Sequence, residues 1–212
     1  MSSTKEQIVQ AAITLFNERG FSNVRIRDIA SHLGKSPGNI TYYFRNKEDL
    51  LNTIYRYLVK SLKEISMGYQ PLVESGGVLS IPSSYLQHLL DFRFFYQDTL
   101  EIIRAYPSIG ELHRIQVQEE VSIVENLLYL AAGKRILVME PAPGVFKALA
   151  ETTWQIVNFW FTNQTIIGKT DPGFIDCMRQ VANLYYNYFT PEGSKEYYQF
   201  LEKLDQEKNN QN

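Results

Sequence analysis

Apolar residues near the start of the chain recur at the spacing of a helix. They form one stripe, at Ile8, Ala11, Ala12, Leu15 and Phe16. Residues at i, i+3, i+4 and i+7 share a face, so this pattern predicts an amphipathic helix over about 4–19. Ser3 and Glu6 fit a capping box at its beginning, with Thr4 as an alternative cap, and Gly20 suits the left-handed residue that follows a helix.

Two shorter helices are predicted next, joined by a tight turn. Their apolar faces consist of Ile26, Ile29, Ala30 and Leu33 in the first, and of Ile40, Tyr43 and Phe44 in the second. Gly34 ends the first of the two, whereas Ser36 caps the second and Pro37 occupies its first position. Two short helices around a turn that contains glycine predict a helix-turn-helix unit.

Helical spacing continues towards the C-terminus and predicts an all-α fold. Asn46 caps a predicted fourth helix over about 47–65. Further helices are predicted over about 85–106, 111–130, 143–167, 172–189 and 195–206. Asp171 and Pro172 mark the start of the helix predicted over 172–189. The segment Gly68–Ser84 is rich in Gly, Pro and Ser, which predicts a loop, with a short strand-like piece at 78–81 as an alternative.

Charge is distributed unevenly along the 212 residues, although the net charge is only −2. Residues 1–63 carry ten Lys and Arg against five Asp and Glu, a net charge of +5, and residues 64–212 carry a net charge of −7. A basic N-terminal third on an acidic body is typical of a protein that binds a polyanion with one end. Chance is the alternative explanation of this asymmetry.

The third predicted helix carries residue types that suit reading of the DNA major groove. Its outward positions are Gly38, Asn39, Thr41 and Tyr42. An Asn amide can form two hydrogen bonds with adenine, a Thr methyl can contact the thymine methyl, and Gly lets the backbone approach closely. Cations that suit phosphate contacts flank the unit, at Arg25, Arg27, Lys35, Arg45 and Lys47. Phosphate contacts set affinity and register rather than sequence choice.

The first quarter of the chain resembles the DNA-binding domain of the TetR/AcrR family of bacterial transcriptional regulators. The matching residues are Ile8, Ala11, Ala12, Leu15, Phe16, Gly20, Phe21, Arg27–Ala30, Gly34, Ser36–Ile40, Tyr43, Phe44 and Asn46–Leu50. Their combined spacing carries the resemblance, since no single piece is specific. The resemblance implies a three-helix helix-turn-helix DNA-binding domain at 1–46, a connecting helix at 47–66 and a helical ligand-binding and dimerisation domain at 67–212.

The resemblance also implies contacts between this domain and an operator. The expected DNA-binding residues are Arg25, Arg27, Lys35, Ser36, Gly38, Asn39, Thr41, Tyr42, Tyr43 and Lys47. For Tyr43, packing with its hydroxyl outside is the alternative. Family members usually have Thr near the position of Val24 and Tyr at the position of Thr41, and both commonly contact the DNA backbone. Arg25 and Tyr42 are candidates to replace those two contacts.

The two long helices predicted over 143–167 and 172–189 are too apolar around their circumference for lone surface helices. Trp160 and Phe161 are adjacent, so we expect them to face different directions, one of which needs a second partner. In the family that partner is the same helix pair of a second subunit, and we therefore expect a homodimer. The candidate dimerisation residues are Phe159, Trp160, Tyr185 and Tyr188.

The resemblance further implies a pocket for a small apolar or aromatic effector in the C-terminal part of the chain. Candidate lining residues are Phe92, Phe95, Tyr96, His113 and Trp154. The alternative is that these aromatic side chains simply fill the core.

No catalytic constellation occurs in the sequence. His32, His88 and His113 lack the spacing of metal ligands on one helix, and no HExxH, GxSxG, GxGxxG or P-loop motif is present. The single cysteine, Cys177, lies on the apolar side of its predicted helix, which indicates a buried thiol rather than a nucleophile. We therefore expect neither an enzyme nor a cofactor or metal site.

Nothing in the sequence predicts a membrane partner. No run of about 18 apolar residues occurs, and residues 1–7 do not resemble a signal peptide, so the expected location is cytoplasmic. The last amphipathic helix mixes Lys with Asp and Glu, which disfavours anionic lipid.

Two functions from different classes are compatible with these patterns. The first is a ligand-responsive transcriptional regulator, a repressor by family expectation, that binds a palindromic operator as a homodimer. In it the helix 47–65 would act as the lever between effector and DNA. The second is a dimeric small-molecule or protein-binding module that has lost specific DNA binding, and only Val24 and Thr41 support it.

Overall fold

A computed structural model describes residues 3–69, 71, 79, 83–169 and 173–211. The predicted all-α fold is confirmed, because these residues form α-helices and no strand. The extended pairing found among them is an isolated antiparallel bridge between Leu137 and Phe189. Within the same residues, no helix combines the length and the apolar composition needed to cross a bilayer.

The described helices are numbered α1 to α12 along the chain. They are α1 (Thr4–Arg19), α2 (Ile26–His32), α3 (Pro37–Tyr43), α4 (Lys47–Ser66), α5 (Ser83–Asp91), α6 (Arg93–Gln97), α7 (Thr99–Ala105), α8 (Pro107–Gly133), α9 (Val145–Asn158), α10 (Trp160–Ile166), α11 (Phe174–Leu184) and α12 (Gly193–Gln211). A single 3₁₀ turn, Tyr186–Tyr188, follows α11.

The chain divides into two compact units. The first unit comprises Met1–Lys63 and Gln87–Arg114, and the second comprises Glu64–Leu86 and Ile115–Asn212. These limits differ from the division at residues 46 and 66 expected from the sequence, because the segment 87–114 packs with the N-terminal helices.

Helix α1 begins and ends where its sequence predicts. The Ser3 hydroxyl accepts a hydrogen bond from the Glu6 amide, and the Ser3 amide donates to the Glu6 carboxylate at 2.8 Å, which completes the capping box. At the other end Gly20 has φ +79° and its N–H donates to the Phe16 carbonyl. The positive φ explains the glycine at this position, because other residues rarely adopt a positive φ.

The core of the first unit matches the predicted apolar stripes. Its fully buried side chains include Ile8, Leu15, Phe16, Ile29, Ile40, Phe44, Leu50 and Ile54. The Phe16 ring centroid lies 5.1 Å from that of Phe21 and 5.2 Å from that of Phe94. Aromatic rings at this separation add to the stabilisation from burial, so α1 and the segment 87–114 share one core.

The continuous helix predicted over 85–106 is wrong, since α5, α6 and α7 occupy this range. The break after α5 is held by Asn17, whose Nδ2 donates to the Asp91 carbonyl at 2.8 Å and whose Oδ1 accepts from the Phe94 amide at 3.0 Å. Before α7, Asp98 Oδ2 accepts from the Phe21 amide at 2.8 Å. Asn17 thus binds two backbone groups that an uninterrupted helix would pair internally, whereas Asp98 binds the backbone of the turn after α1.

The helix predicted over 143–167 is also interrupted, at Phe159 between α9 and α10. Trp160 and Phe161 are both buried, so the expectation that one of them faces outward is wrong. The Phe161 ring meets that of Phe174 edge-on at 5.5 Å. The second unit thus covers both directions in which these adjacent side chains point.

The helix predicted over 172–189 is shorter in the structure. Helix α11 begins after Gly173, which has φ +59°, and it ends at Leu184. Beyond it the backbone turns into the bridge, in which the Val138 amide donates to the Tyr188 carbonyl at 2.8 Å. The predicted cap at Asp171 and Pro172 lies outside the described residues, as does most of the strand-like piece predicted at 78–81.

Candidate functional site

Helix α3 presents most of the predicted DNA-reading residues to solvent. Its inner face is anchored by the buried Ile40 and by Phe44 directly after it. The exposed residues are Ser36, Gly38, Asn39, Thr41, Tyr42 and Tyr43. Tyr42 is 83% exposed, and its ring meets that of Tyr43 edge-on at 5.0 Å. A short helix with a buried inner face and an exposed polar and aromatic outer face can enter a groove of DNA.

Hydrogen bonds at the start of α3 orient Asn39. The Ser36 hydroxyl accepts from the Asn39 amide at 3.4 Å and donates to Asn39 Oδ1 at 3.2 Å. Oδ1 keeps a second lone pair, and Nδ2 remains available as a donor, which together suit the edge of an adenine. Thr41 donates its hydroxyl to the Gly38 carbonyl at 3.2 Å, so its methyl group is left for contact.

The predicted phosphate-binding cations differ in exposure. Arg25, Arg27 and Arg45 are exposed, whereas Lys35 is half-buried. The neighbouring Val24 is buried in the core of the first unit. Packing in the core therefore explains the side chain of Val24. A contact with the DNA backbone from this turn would come from Arg25 instead.

Lys47 is bound within the first unit. Its Nζ donates to the Phe21 carbonyl at 2.5 Å and lies 3.8 Å from the centroid of the Phe21 ring. Burial lowers the pKa of Lys47, and the nearby carboxylates Glu101, Asp28 and Asp98 oppose this shift. A cation over an aromatic ring is attracted by the ring face, so this ammonium fixes the start of α4 against the core.

Four of the five candidate effector residues, Phe92, Phe95, Tyr96 and His113, lie in the first unit, and Trp154 lies in the second. Sequence reasoning missed their polar partners. His88 Nε2 is 2.8 Å from the Tyr96 hydroxyl and Nδ1 is 3.0 Å from the Ser61 hydroxyl, while the Tyr55 hydroxyl is 3.2 Å from His113 Nδ1. Burial lowers the pKa of each histidine to about 4, so both are neutral near pH 7.

A second polar cluster, in the second unit, is centred on Glu120 and was also missed. Glu120 Oε2 accepts from the Tyr85 hydroxyl and from Trp154 Nε1, each at 3.2 Å. Oε1 accepts from Gln116 Nε2 at 3.3 Å. The Tyr85 hydroxyl is also 3.3 Å from Asn158 Oδ1. The available signal was the i, i+4 pair of Gln116 and Glu120 on the apolar side of α8.

The Glu120 carboxylate has no Lys, Arg or His within ion-pair distance in the part of the chain that the structure describes. Burial raises the pKa of Glu120 to about 7, and the negative charge of Glu119 adds to this. The hydrogen bonds from Gln116, Tyr85 and Trp154 act in the opposite direction. A carboxyl group in this setting changes its charge near neutral pH.

Of the candidate dimerisation residues, Phe159 is exposed at 44% and Tyr188 is half-buried. Trp160 and Tyr185 are buried within the chain, where the Tyr185 hydroxyl is hydrogen-bonded to that of Thr153. Buried side chains offer little area to a second subunit. Other exposed apolar residues at the end of α10 are Ile166 and Ile167.

Cys177, which lies outside these clusters, is placed as predicted. Cys177 is buried, and burial raises the pKa of its thiol to about 12, so the thiolate is scarce at neutral pH. His32 is exposed on α2.

Comparison with known families identifies both parts of the chain. Residues 8–57 match the family model described as "Bacterial regulatory proteins, tetR family", and residues 78–197 match the model described as "Bacterial transcriptional repressor". The second match alone covers more than half of the chain.

Individual relatives agree with these matches. The chain is 33% identical over 126 residues to the Bacillus subtilis (strain 168) protein named "Probable HTH-type transcriptional regulator YttP". The aligned segment covers 59% of this chain and 54% of that protein. It is 30% identical over 88 residues to the HTH-type transcriptional regulator AcrR of Shigella flexneri. This alignment covers 42% of this chain and 40% of that protein. These alignments thus span about half, or less, of the relatives' own length.

Solved structures share the fold over nearly the whole chain. A TetR-family regulator from Marinobacter aquaeolei VT8 superposes with a TM-score of 0.81 at 23% identity, covering 96% of this chain and 99% of that one. A regulator from Saccharomonospora viridis, solved in complex with choline, superposes with a TM-score of 0.69 at 19% identity, covering 90% and 100%. With its helix-turn-helix and these matches, the chain belongs to the TetR family of bacterial transcriptional regulators.

Proposed function

We propose that the protein is a transcriptional repressor that binds a palindromic operator as a homodimer and changes its DNA affinity when a small effector binds. The observation that carries this proposal is the exposed face of α3, where Asn39 is oriented by Ser36 and Tyr42 is 83% exposed. A helix needed only for stability would not carry Gly38 in its first turn and then expose two tyrosines.

Sequence choice and affinity come from different parts of this surface. We assign base contacts to Gly38, Asn39 and Thr41, and phosphate contacts to Arg25, Arg27, Lys35, Ser36, Tyr42 and Tyr43. Because the Lys47 ammonium binds Phe21, we assign its phosphate contact to the N-terminal amides of α4 instead. Two copies of α3 about 34 Å apart would match successive major grooves of a palindrome.

Selection of bound duplexes from a random DNA pool tests the proposal. We expect an enriched palindrome whose affinity falls steeply with salt, with a slope of about −0.9 for each phosphate contacted. Arg27→Ala should make the slope less steep, whereas Lys147→Ala, which removes an exposed cation from the second unit, should leave it unchanged.

Failure of a folded protein to enrich any duplex would favour the alternative, a binding module without specific DNA recognition. Two observations support that alternative: Val24 is buried, and the Thr41 hydroxyl is bound to its own helix. Recovery of enrichment by Thr41→Tyr would then assign the defect to the missing tyrosine. Without recovery, the helix-turn-helix itself would be inactive.

The homodimer rests on the exposed apolar side chains around α10, namely Phe159, Ile166 and Ile167. Ile166→Glu should shift the sedimentation coefficient towards that of a monomer, because a charge at an apolar interface is costly. If Ile166→Glu still forms a dimer, the interface lies elsewhere on the chain. The effector response is supported by the choline complex of the Saccharomonospora viridis relative, which shows that a protein of this fold takes a small molecule.

A further inference from the structure

The environment of Glu120 is unusual for a carboxylate. The side chain lies in the second unit, on α8, and it is half-buried, while the residues beneath it, Gln116, Asn158 and Tyr85, are buried. A charge removed from water is normally paired with an opposite charge. Glu120 is not paired in this way with any described residue.

The hydrogen bonds around Glu120 fit the ionised form. Trp154 Nε1 and Gln116 Nε2 can only donate, and they reach different oxygens of the carboxylate. Both oxygens are therefore held as acceptors, and the position of the negative charge is fixed by two helices, α8 and α9. Neutral donors stabilise a carboxylate without cancelling its charge.

The ring of Trp154 lies at this carboxylate, to which it donates its N–H, and a second aromatic ring packs against it. Trp154 is half-buried, and Phe159 meets its ring edge-on at 5.8 Å with 44% of its own surface exposed. The carboxylate of Glu120 and the faces of these rings all attract positive charge. A metal ion is a poor candidate, because among the described residues no group of His, Cys, Asp and Glu could hold one.

We propose that Glu120, Trp154 and Tyr85 form a binding site for an organic monocation, a quaternary ammonium or protonated amine that carries an apolar or aromatic group. The proposal deepens the effector response described above and rests on it. The cation would take the place of the proton that otherwise neutralises Glu120, while the apolar group would lie against Trp154.

Calorimetric titration of the full chain without DNA tests the site directly. The probes are tetramethylammonium, benzyltrimethylammonium and tetraphenylphosphonium, with neopentylbenzene as the neutral isostere of the second and phenylmethanesulfonate as an anion of similar size. We expect at least one of the aromatic cations to bind more tightly than about 1 mM, and the neutral and anionic probes to bind at least about tenfold more weakly.

Glu120→Gln keeps the size of the side chain and removes its charge, so it should weaken binding of the cation by about tenfold or more. Glu119→Gln is the matched control, because it removes the same charge from the adjacent exposed position, and it should change binding less than about twofold. Circular dichroism establishes that both variants fold. Should Glu120→Gln fail to fold, Trp154→Phe, which keeps a ring and removes the N–H, takes its place.

The pH dependence of binding gives a readout on the wild-type chain. Among the described residues, Glu119, Tyr69 and Tyr85 are the other titratable groups that face or adjoin Glu120, and burial and the Glu120 charge raise the pKa of Tyr69. Affinity for the cation should therefore rise about tenfold from pH 6 to pH 8, as the ionised fraction of Glu120 rises. Glu120→Gln should abolish this dependence.

Three results would overturn the site: no cation binds, the two glutamine variants bind alike, or neopentylbenzene binds as well as the cation. The operator assay is separate and distinguishes the two proposals. A cation that binds through Glu120 without changing operator affinity would leave the site standing and remove the effector response.

Discussion

The side chain of Asn17 joins α1 to the segment 87–114, and its removal makes a quantitative test of the first unit. Asn17→Ala deletes the hydrogen bonds to the Asp91 carbonyl and from the Phe94 amide. Each contributes about 1 kcal/mol, and the better helix propensity of Ala returns about 0.5 kcal/mol. We therefore expect the free energy of unfolding to fall by about 1.5 kcal/mol.

Urea denaturation followed by far-ultraviolet circular dichroism measures this change. Tryptophan fluorescence reports separately on the second unit, because Trp154 and Trp160 both lie there. Asn23→Ala is the matched control, since it removes one exposed hydrogen bond, to the Arg19 carbonyl, and should cost about 0.5 kcal/mol. Equal losses for the two variants would refute the view that Asn17 holds the break between α5 and α6.

Three further predictions concern stability, DNA reading and reactivity. His88 and His113 have folded-state pKa values of about 4, below the value of about 6.5 in an unfolded chain, so the unfolded state takes up protons first and stability falls as the pH drops from about 6.5 towards 4. Glu120, with its raised pKa, opposes part of this slope, and urea titrations of His88→Gln should show a shallower fall than the wild type. Asn39→Ala should relax base preference at one operator position by about 1–3 kcal/mol in competition binding, with the salt slope retained; a uniform loss over all sequences would instead make Asn39 a backbone contact. Cys177 should react with a thiol reagent only in denaturant, and rapid labelling of the folded chain would contradict its burial.

Local signals predicted the N-terminal helices well. The Ser3–Glu6 box and Gly20 define α1, and Ser36 with Pro37 defines the start of α3. Caps of this kind are interactions within four residues of one another, so the sequence displays them directly.

Long-range interactions explain what the sequence did not predict. The break between α5 and α6 depends on Asn17, which binds backbone groups 74 and 77 residues away along the chain, and apolar periodicity carries no trace of such contacts. The ammonium of Lys47 was expected to be available for phosphate, yet it binds the carbonyl of Phe21, 26 residues earlier. Aromatic residues alone predicted an effector site, whereas the raised pKa of Glu120 arises only when α5, α8 and α9 surround its carboxylate.

The same contacts of Asn17 and Asp98 bear on how DNA specificity could be exchanged between relatives. A chimera that joins the four N-terminal helices of one protein to the remainder of another would separate Asn17 from its partners at Asp91 and Phe94, and Phe21 from Asp98. The unit that must be transferred is therefore discontinuous in sequence, because it includes residues 87–114 as well as the four N-terminal helices. Replacing α3 alone, or transferring both segments together, preserves these hydrogen bonds. A single crossover after α4 removes them.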